Sequence, residues 1–438
     1  MDNSGIQEFG KYIFGFFTIE IKDDIDFGDL GLAKDKKRFS TFIHEYIHFL
    51  QEISTTYGLS YAYKELSKLQ AYLNVIGNQK ENEIILPISL EKIEKKELVD
   101  DLINSIEGDN EEWLYDNCNS ISIENINVHE NELIGDLYQE GKEYKFVACP
   151  VVEIRFTELC GKEKTKKINF GALQIIEGMA RMIEKHSYEI KDKYYQIQYD
   201  IVEVMCNYLY KNFAVNKANI VALCDASLMY DNPGMIFYAS LKIMKNKNFI
   251  PSTPEDIYKF IFKTILPSGN EQIKANRNNI NNVLDDLLMD KFTNFSELKS
   301  FLKKSINYIN TLRDNNCNFI SKVMSMDSNY AKNYLINLMN DTGLVLIIDK
   351  RYNTISTMEE KDEQENSLML YALYALYNLL DNQGKDYCIM REICSEQKSE
   401  FLDNNCISKP WEKVKNEKLC PLAKLWYQFK LEDKYIKR

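Results

Sequence analysis

His44-Glu45-Tyr46-Ile47-His48 sets two imidazoles four residues apart, with a carboxylate beside the first. On a helix, positions i and i+4 lie about 40° apart on one face, so both rings can reach one zinc ion at about 2.0–2.1 Å. Glu45 falls about 60° from His48, close enough to take a proton from metal-bound water, whose pKa drops toward about 7 on zinc. An H-E-x-x-H pattern on a helix therefore predicts metal-assisted hydrolysis. The chain has four histidines among 438 residues, so two in one pentapeptide are not what composition alone would give.

Such a site needs a third protein ligand and an open position for water. No Gly and His follow His48 at the metzincin offsets, and the next histidine is His129. A carboxylate from a later helix is the other common solution, and Ile175-Ile176-Glu177-Gly178-Met179-Ala180-Arg181 offers one. The two segments together resemble the gluzincin metallopeptidases, in which H-E-x-x-H is followed by a helix bearing E-G-x-A. The resemblance implies a zincin-like core, His44, His48 and Glu177 as zinc ligands, and Glu45 as general base. It also implies that Gly178 and Ala180 let the second helix pack closely on the first.

Glu177 lies 129 positions after His48, farther than in well-known members, so the intervening chain must loop away from the site. Thermolysin-like members carry an Asp four residues after the ligand Glu to orient a histidine. That position here is Arg181, which leaves Glu184 as the candidate acceptor. On the residues alone, Glu177 could also form an exposed i, i+4 pair with Arg181. Glu184, His129 and His186 stay open as third ligands, although His186 falls about 180° from Glu177 on a continuous helix.

The elements around these residues follow from periodicity. Tyr12 to Ile21 (YIFGFFTIEI) reads as a strand. From about Lys36 to Tyr57 the period is helical, with Phe39, Phe42, Ile43, Tyr46, Phe49, Leu50 and Ile53 on one arc. Ser40, Thr41, His44, Glu45, His48, Gln51, Glu52 and Thr55 fall on the other, a polar face. Leu59 to Val75 continues as helix, and a charged stretch at about 78–140 reads as a solvated insertion. Tyr144 to Glu158 suggests one or two strands, Gly161 to Lys167 a charged turn, and Phe170 to Lys185 a helix. Two helices are expected over 190–245, broken at Asp231-Asn-Pro-Gly234. The region beyond is helical, with an extended segment at Leu344 to Ile348 and a charged loop at Glu359 to Asn366.

The expected fold is mainly α with a small β component (α+β). Residues 1–250 form a zincin-like catalytic domain and 251–438 a helical domain. Gly (17) and Pro (8) are scarce, which argues against propeller, collagen and many-stranded sandwich architectures. The net charge of −12 and the absence of a dense basic run argue against nucleic acid as a partner. No secretory signal is visible, and Leu368 to Leu380 is shorter than the roughly 18 residues that cross a bilayer. A cytoplasmic protein without a membrane partner is the expectation. The ten cysteines then read as reduced thiols. Cys388, Cys394, Cys406 and Cys420 are spaced by 6, 12 and 14, unlike the close pairs of common zinc or iron–sulfur sites. Ordinary buried thiols are expected there.

These residues together point to a zinc-dependent metallopeptidase acting on a protein or peptide substrate, with a protein regulator as a further partner. The alternative is a helical binding or regulatory protein, of toxin or defence type, that keeps the zinc-binding fold without turnover. Tyrosines near the site, such as those in Tyr194-Tyr195-Gln-Ile-Gln-Tyr199, include candidate oxyanion stabilisers. No P-loop, G-x-G-x-x-G or G-x-S-x-G occurs, which removes the main support for nucleotide or serine-hydrolase chemistry.

Overall fold

The computed structural model describes residues 10–22, 36–86, 88, 106–109, 114–115, 121–129, 133–139, 142–147, 149–158, 160–190, 195–264, 269–287, 293–343, 346–352, 354–355, 363–381 and 387–437. The first aromatic run is a hairpin where one strand is expected. β1 (Gly10–Ile13) pairs antiparallel with β2 (Thr18–Ile21). Gly15 lies between them at φ +80°, a left-handed conformation that glycine adopts without a Cβ penalty.

Helix α1 (Lys36–Ser54) stops where Thr55 turns extended and its hydroxyl accepts the Gly58 N–H at 3.0 Å, capping α2 (Thr56–Asn78). The arc from Phe39 to Ile53 is buried, as its period predicts. The opposite face is buried as well: His48 is 2% exposed and Glu52 0%. α1 is therefore enclosed on its polar side too, and the polar side chains there need partners within the protein.

Of the expected insertion, residues 89–105 lie outside the described residues. Farther along, β3 (Ile121–His129), β4 (Val151–Glu158) and β5 (Glu163–Asn169) form an antiparallel sheet in that order. The expected turn at 161–167 is thus a tight turn at Gly161 followed by a strand. Helices α3 (Ala172–Tyr188), α4 (Ile197–Leu209) and α5 (Lys217–Ser227) follow. Beyond the Asn232 cap at the predicted break, the helix Pro233–Asn246 begins.

After residue 250 come α6 (Gly269–Leu287), α7 (Thr293–Asn315) and α8 (Ser328–Thr342). Strand β6 (Leu346–Ile348), inside the predicted extended segment, runs parallel to β2 and antiparallel to β7 (Thr354–Ile355). The sheet order β1-β2-β6-β7 joins chain from both sides of residue 250, and α2 packs on α6 as α1 packs on α7. The run Leu368 to Leu380 ends α9 (Glu363–Leu380) and is mostly buried, while residues from 363 onward are helical where a loop is expected. The last long element is α10 (Pro421–Gln428). The described structure is mainly helical with small sheets, the α+β class that the sequence suggests. Among the described residues, no helix is long and apolar enough to cross a membrane.

Candidate metal centre

α3 packs against α1, and this contact brings Glu177 to the two histidines. Glu177 Oε2 lies 3.1 Å from His44 Nε2 and 3.4 Å from His48 Nε2. One atom from each residue falls within 4.8 Å of the other two, a group that could hold a metal ion. His44 and His48 are buried and Glu177 nearly so.

The outer nitrogens decide what the inner ones can do. His44 Nδ1 donates to Glu184 Oε2 at 3.2 Å. Gln51 donates its amide to the Ile176 carbonyl at 3.1 Å, so its oxygen faces inward and accepts from His48 Nδ1 at 2.9 Å. With the outer nitrogens held in this way, Nε2 of each ring faces the Glu177 carboxylate, and that of His44 lies within hydrogen-bond distance of it. Two ring nitrogens and a carboxylate gathered in a buried space call for positive charge among them, from a ring proton or a bound cation, so this donor set fits a metal ion.

The same logic sets the proton affinities. Burial would lower His44, but hydrogen bonds to Glu177 and Glu184 and the field of Glu45 outweigh it and raise its pKa to about 10. Burial alone would raise Glu184, but the bond and charge of His44 and the Arg181 guanidinium hold it down at about 2. Glu177 is likewise held well below the usual carboxylate range, because the two histidines outweigh its burial. The carboxylates demand positive charge here, which a proton or a metal can supply.

Glu45 projects beside this group and is 6% exposed. Burial, reinforced by Glu177 and Glu184 and opposed by the histidines, raises its pKa. Gly10 of β1 lies against it: a Cβ at Gly10 would stand 2.8 Å from Glu45 Oε1. His44, Glu45, His48 and Glu177 line one wall of a cavity of about 530 Å³. Residues 10–14, Tyr61, Glu65, Lys68, Tyr377 and Asp381 line it too.

The outcome for each candidate residue is specific. His44, His48 and Glu177 meet, and Glu184 takes the outer nitrogen of His44. Arg181 is bound by Glu184 at 2.7 Å, three residues along, rather than by Glu177. His129 is exposed on β3, and His186 Nε2 donates to the Met326 carbonyl at 2.8 Å, away from the site. Gly178 faces α4 rather than α1: a Cβ there would meet Val202 Cγ2 at 2.8 Å. Of the tyrosines, Tyr199 lines the cavity with its ring edge-on to His44, 5.8 Å between centroids. Tyr194 lies outside the described residues. Gln51, three residues after His48, is a partner whose role the sequence does not reveal; its i+3 spacing is the available signal.

Protein-family models, curated proteins and solved structures were each compared with the chain, and none matches it.

Proposed function

We propose that the protein is a zinc-dependent metallopeptidase acting on a protein or peptide. The observation that carries this reading is the convergence of His44 Nε2, His48 Nε2 and the Glu177 carboxylate on a cavity wall that also bears Glu45. Two imidazoles and one carboxylate are a donor set that suits zinc and leaves a position for water or substrate. When bound, zinc supplies Lewis acidity toward a carbonyl and makes water acidic enough to ionise near neutral pH.

The remaining work belongs to the chain. Glu184 and Gln51 hold the two rings in one tautomer and one orientation. Glu45 takes the proton of the attacking water onto its carboxylate and delivers it to the leaving amine; its burial-raised pKa brings it closer to the pH at which it must do both. Among the described residues β1 is the edge of its sheet, and it lines the cavity. An edge strand offers unpaired backbone groups to an extended peptide, which supports a peptide as substrate.

The test is metal content together with cleavage of a peptide library. Wild type should bind zinc and cleave, His44→Ala should lose both, and Glu45→Gln should keep the metal while losing activity by about 10²–10⁴-fold. A Glu45→Gln protein that cleaves as wild type does would refute the reading. Wild type that holds zinc and cleaves nothing would favour the binding-protein alternative.

A further inference from the structure

Helix α4 brings its first residues, Gln198 and Tyr199, to the cavity of the metal centre. Two contacts fix that turn. Gln196 is extended and its N–H donates to Asp200 Oδ2 at 3.1 Å, while the other oxygen of Asp200 accepts from Lys185 of α3, also at 3.1 Å. Gly178, the residue after Glu177, leaves room for the same turn: a Cβ there would lie 3.2 Å from the Tyr199 carbonyl oxygen. The start of α4 is thereby pinned beside a metal ligand.

Gln198 is the residue there whose type does not match its place. Ile197, Ile201, Val202 and Met205 are buried, and Gln198, three and four residues before Ile201 and Val202, shares their face. It is 8% exposed. An apolar side chain would serve packing at that position. Instead the chain carries an amide whose Oε1 is buried and accepts no hydrogen bond from any described residue. A buried acceptor without a donor is costly, and native structures keep few of them. The same side chain lines the cavity that His44, Glu45, His48 and Glu177 share, which is where a donor from outside the protein can reach it.

We propose that Gln198 is a substrate-binding residue: its amide hydrogen-bonds a peptide group of the substrate close to the bond that is cut. The proposal rests on the metallopeptidase reading and adds to it the group that holds the substrate backbone from the side of α4. The two partners are complementary, since the side-chain amide offers one acceptor and two donors and a peptide group offers one of each. The last torsion of a glutamine is broad and roughly two-fold, so either end of the amide can turn to the ligand. The helix turn that carries it is fixed before substrate arrives, which lowers the ordering cost of binding. A contact of this kind reads the backbone common to all peptides and leaves side-chain choice to other residues of the cavity.

The experiment uses the full chain loaded with zinc and the library peptide that wild type cleaves fastest. Gln198→Leu removes the amide and puts an apolar side chain of similar size at a core position. It should melt no lower than wild type and bind zinc equally, while kcat/KM falls by about 10–100-fold, the loss expected when one hydrogen bond goes and its partner stays unpaired. Esters replacing each amide other than the scissile one locate the contact: one of them should slow wild type by a similar factor and Gln198→Leu hardly at all. The affinity of the intact peptide for Glu45→Gln, measured by calorimetry, should fall when Gln198→Leu is added. Equal kcat/KM in wild type and Gln198→Leu would overturn the proposal and leave the metallopeptidase reading standing. Loss of zinc or of folding in Gln198→Leu would make the residue structural and overturn it too. Wild type that cleaves nothing would overturn both readings.

Discussion

Two buried charged networks meet helix α1, one at its middle and one at its end, and they differ in what they leave over. At the end, Arg313 of α7 grips Asp225 of α5 through both terminal nitrogens, at 2.7 and 3.0 Å. The same guanidinium donates to Ser54 Oγ and to the Cys317 carbonyl, each at 2.8 Å, and Tyr258 donates to Asp225. Each charge there has its counter-charge in the protein, so the network closes on itself apart from Arg313 Nε, and it clamps four helices: α1, α5, α7 and Pro254–Thr264. At the middle, the outer nitrogens of His44 and His48 are satisfied, but the inner ones and Glu177 point at one another beside a cavity. A closed network holds helices together; an open one asks for a ligand.

The contrast can be broken at several places, with effects that run from large to small. Asp225→Ala should strand Arg313 without its partner and cost about 3–5 kcal/mol in denaturant unfolding, while leaving metal affinity as it is. Equal stability would remove the structural role of the closed network.

Glu52 comes next, on α1 between the two networks. It accepts from Tyr12 and from the Gly15 N–H, yet burial dominates and raises its pKa to about 8. A carboxyl whose folded pKa is raised contributes stability fully present below its unfolded value and lost as pH rises through about 8. A tenfold difference in proton affinity between the folded and unfolded chain is worth about 1.4 kcal/mol, so Glu52→Gln should flatten a fall of up to a few kcal/mol between about pH 5 and 8. An unchanged pH profile of stability would contradict this.

Gly10→Ala should push against Glu45 and lower kcat by up to about 100-fold with the metal retained. Loss of metal together with activity would show that Gly10 supports the ligands rather than the base. Glu184→Gln should weaken metal binding by about 10–100-fold, the size expected for a partner of a ligating histidine. No change would mean that another group fixes His44.

Much of the open network can be read from residue types. His44, Glu45 and His48 announce themselves by spacing, and Glu177 follows from the resemblance to the E-G-x-A helix. Glu184 can be named because a ligating histidine needs an acceptor and Arg181 cannot serve. The closed network leaves no such trace, because Asp225, Arg313 and Ser54 come together only through helix packing. The same reason hides the grouping of the four C-terminal cysteines, whose sequence intervals say nothing about segments that fold back around one small cavity. At Gly178 the small residue does mark close packing, but the helix that approaches it is α4, and no residue type says which helix that will be. The polar face of α1 is buried although its pattern is that of a solvated helix, because periodicity separates polar from apolar and not wet from dry. Gly15 is a turn signal inside the aromatic run, and it marks the break between β1 and β2.

Whether α1 and α3 together hold a metal ion is decided most directly by zinc affinity, measured by competition with a chelator for wild type and Glu177→Gln. Wild type should hold one zinc tightly and lose it on His44→Ala, and Glu177→Gln should weaken binding by more than Glu184→Gln does. Equal affinity in wild type and Glu177→Gln, or zinc binding that does not depend on His44, would show that these residues are not the metal's ligands.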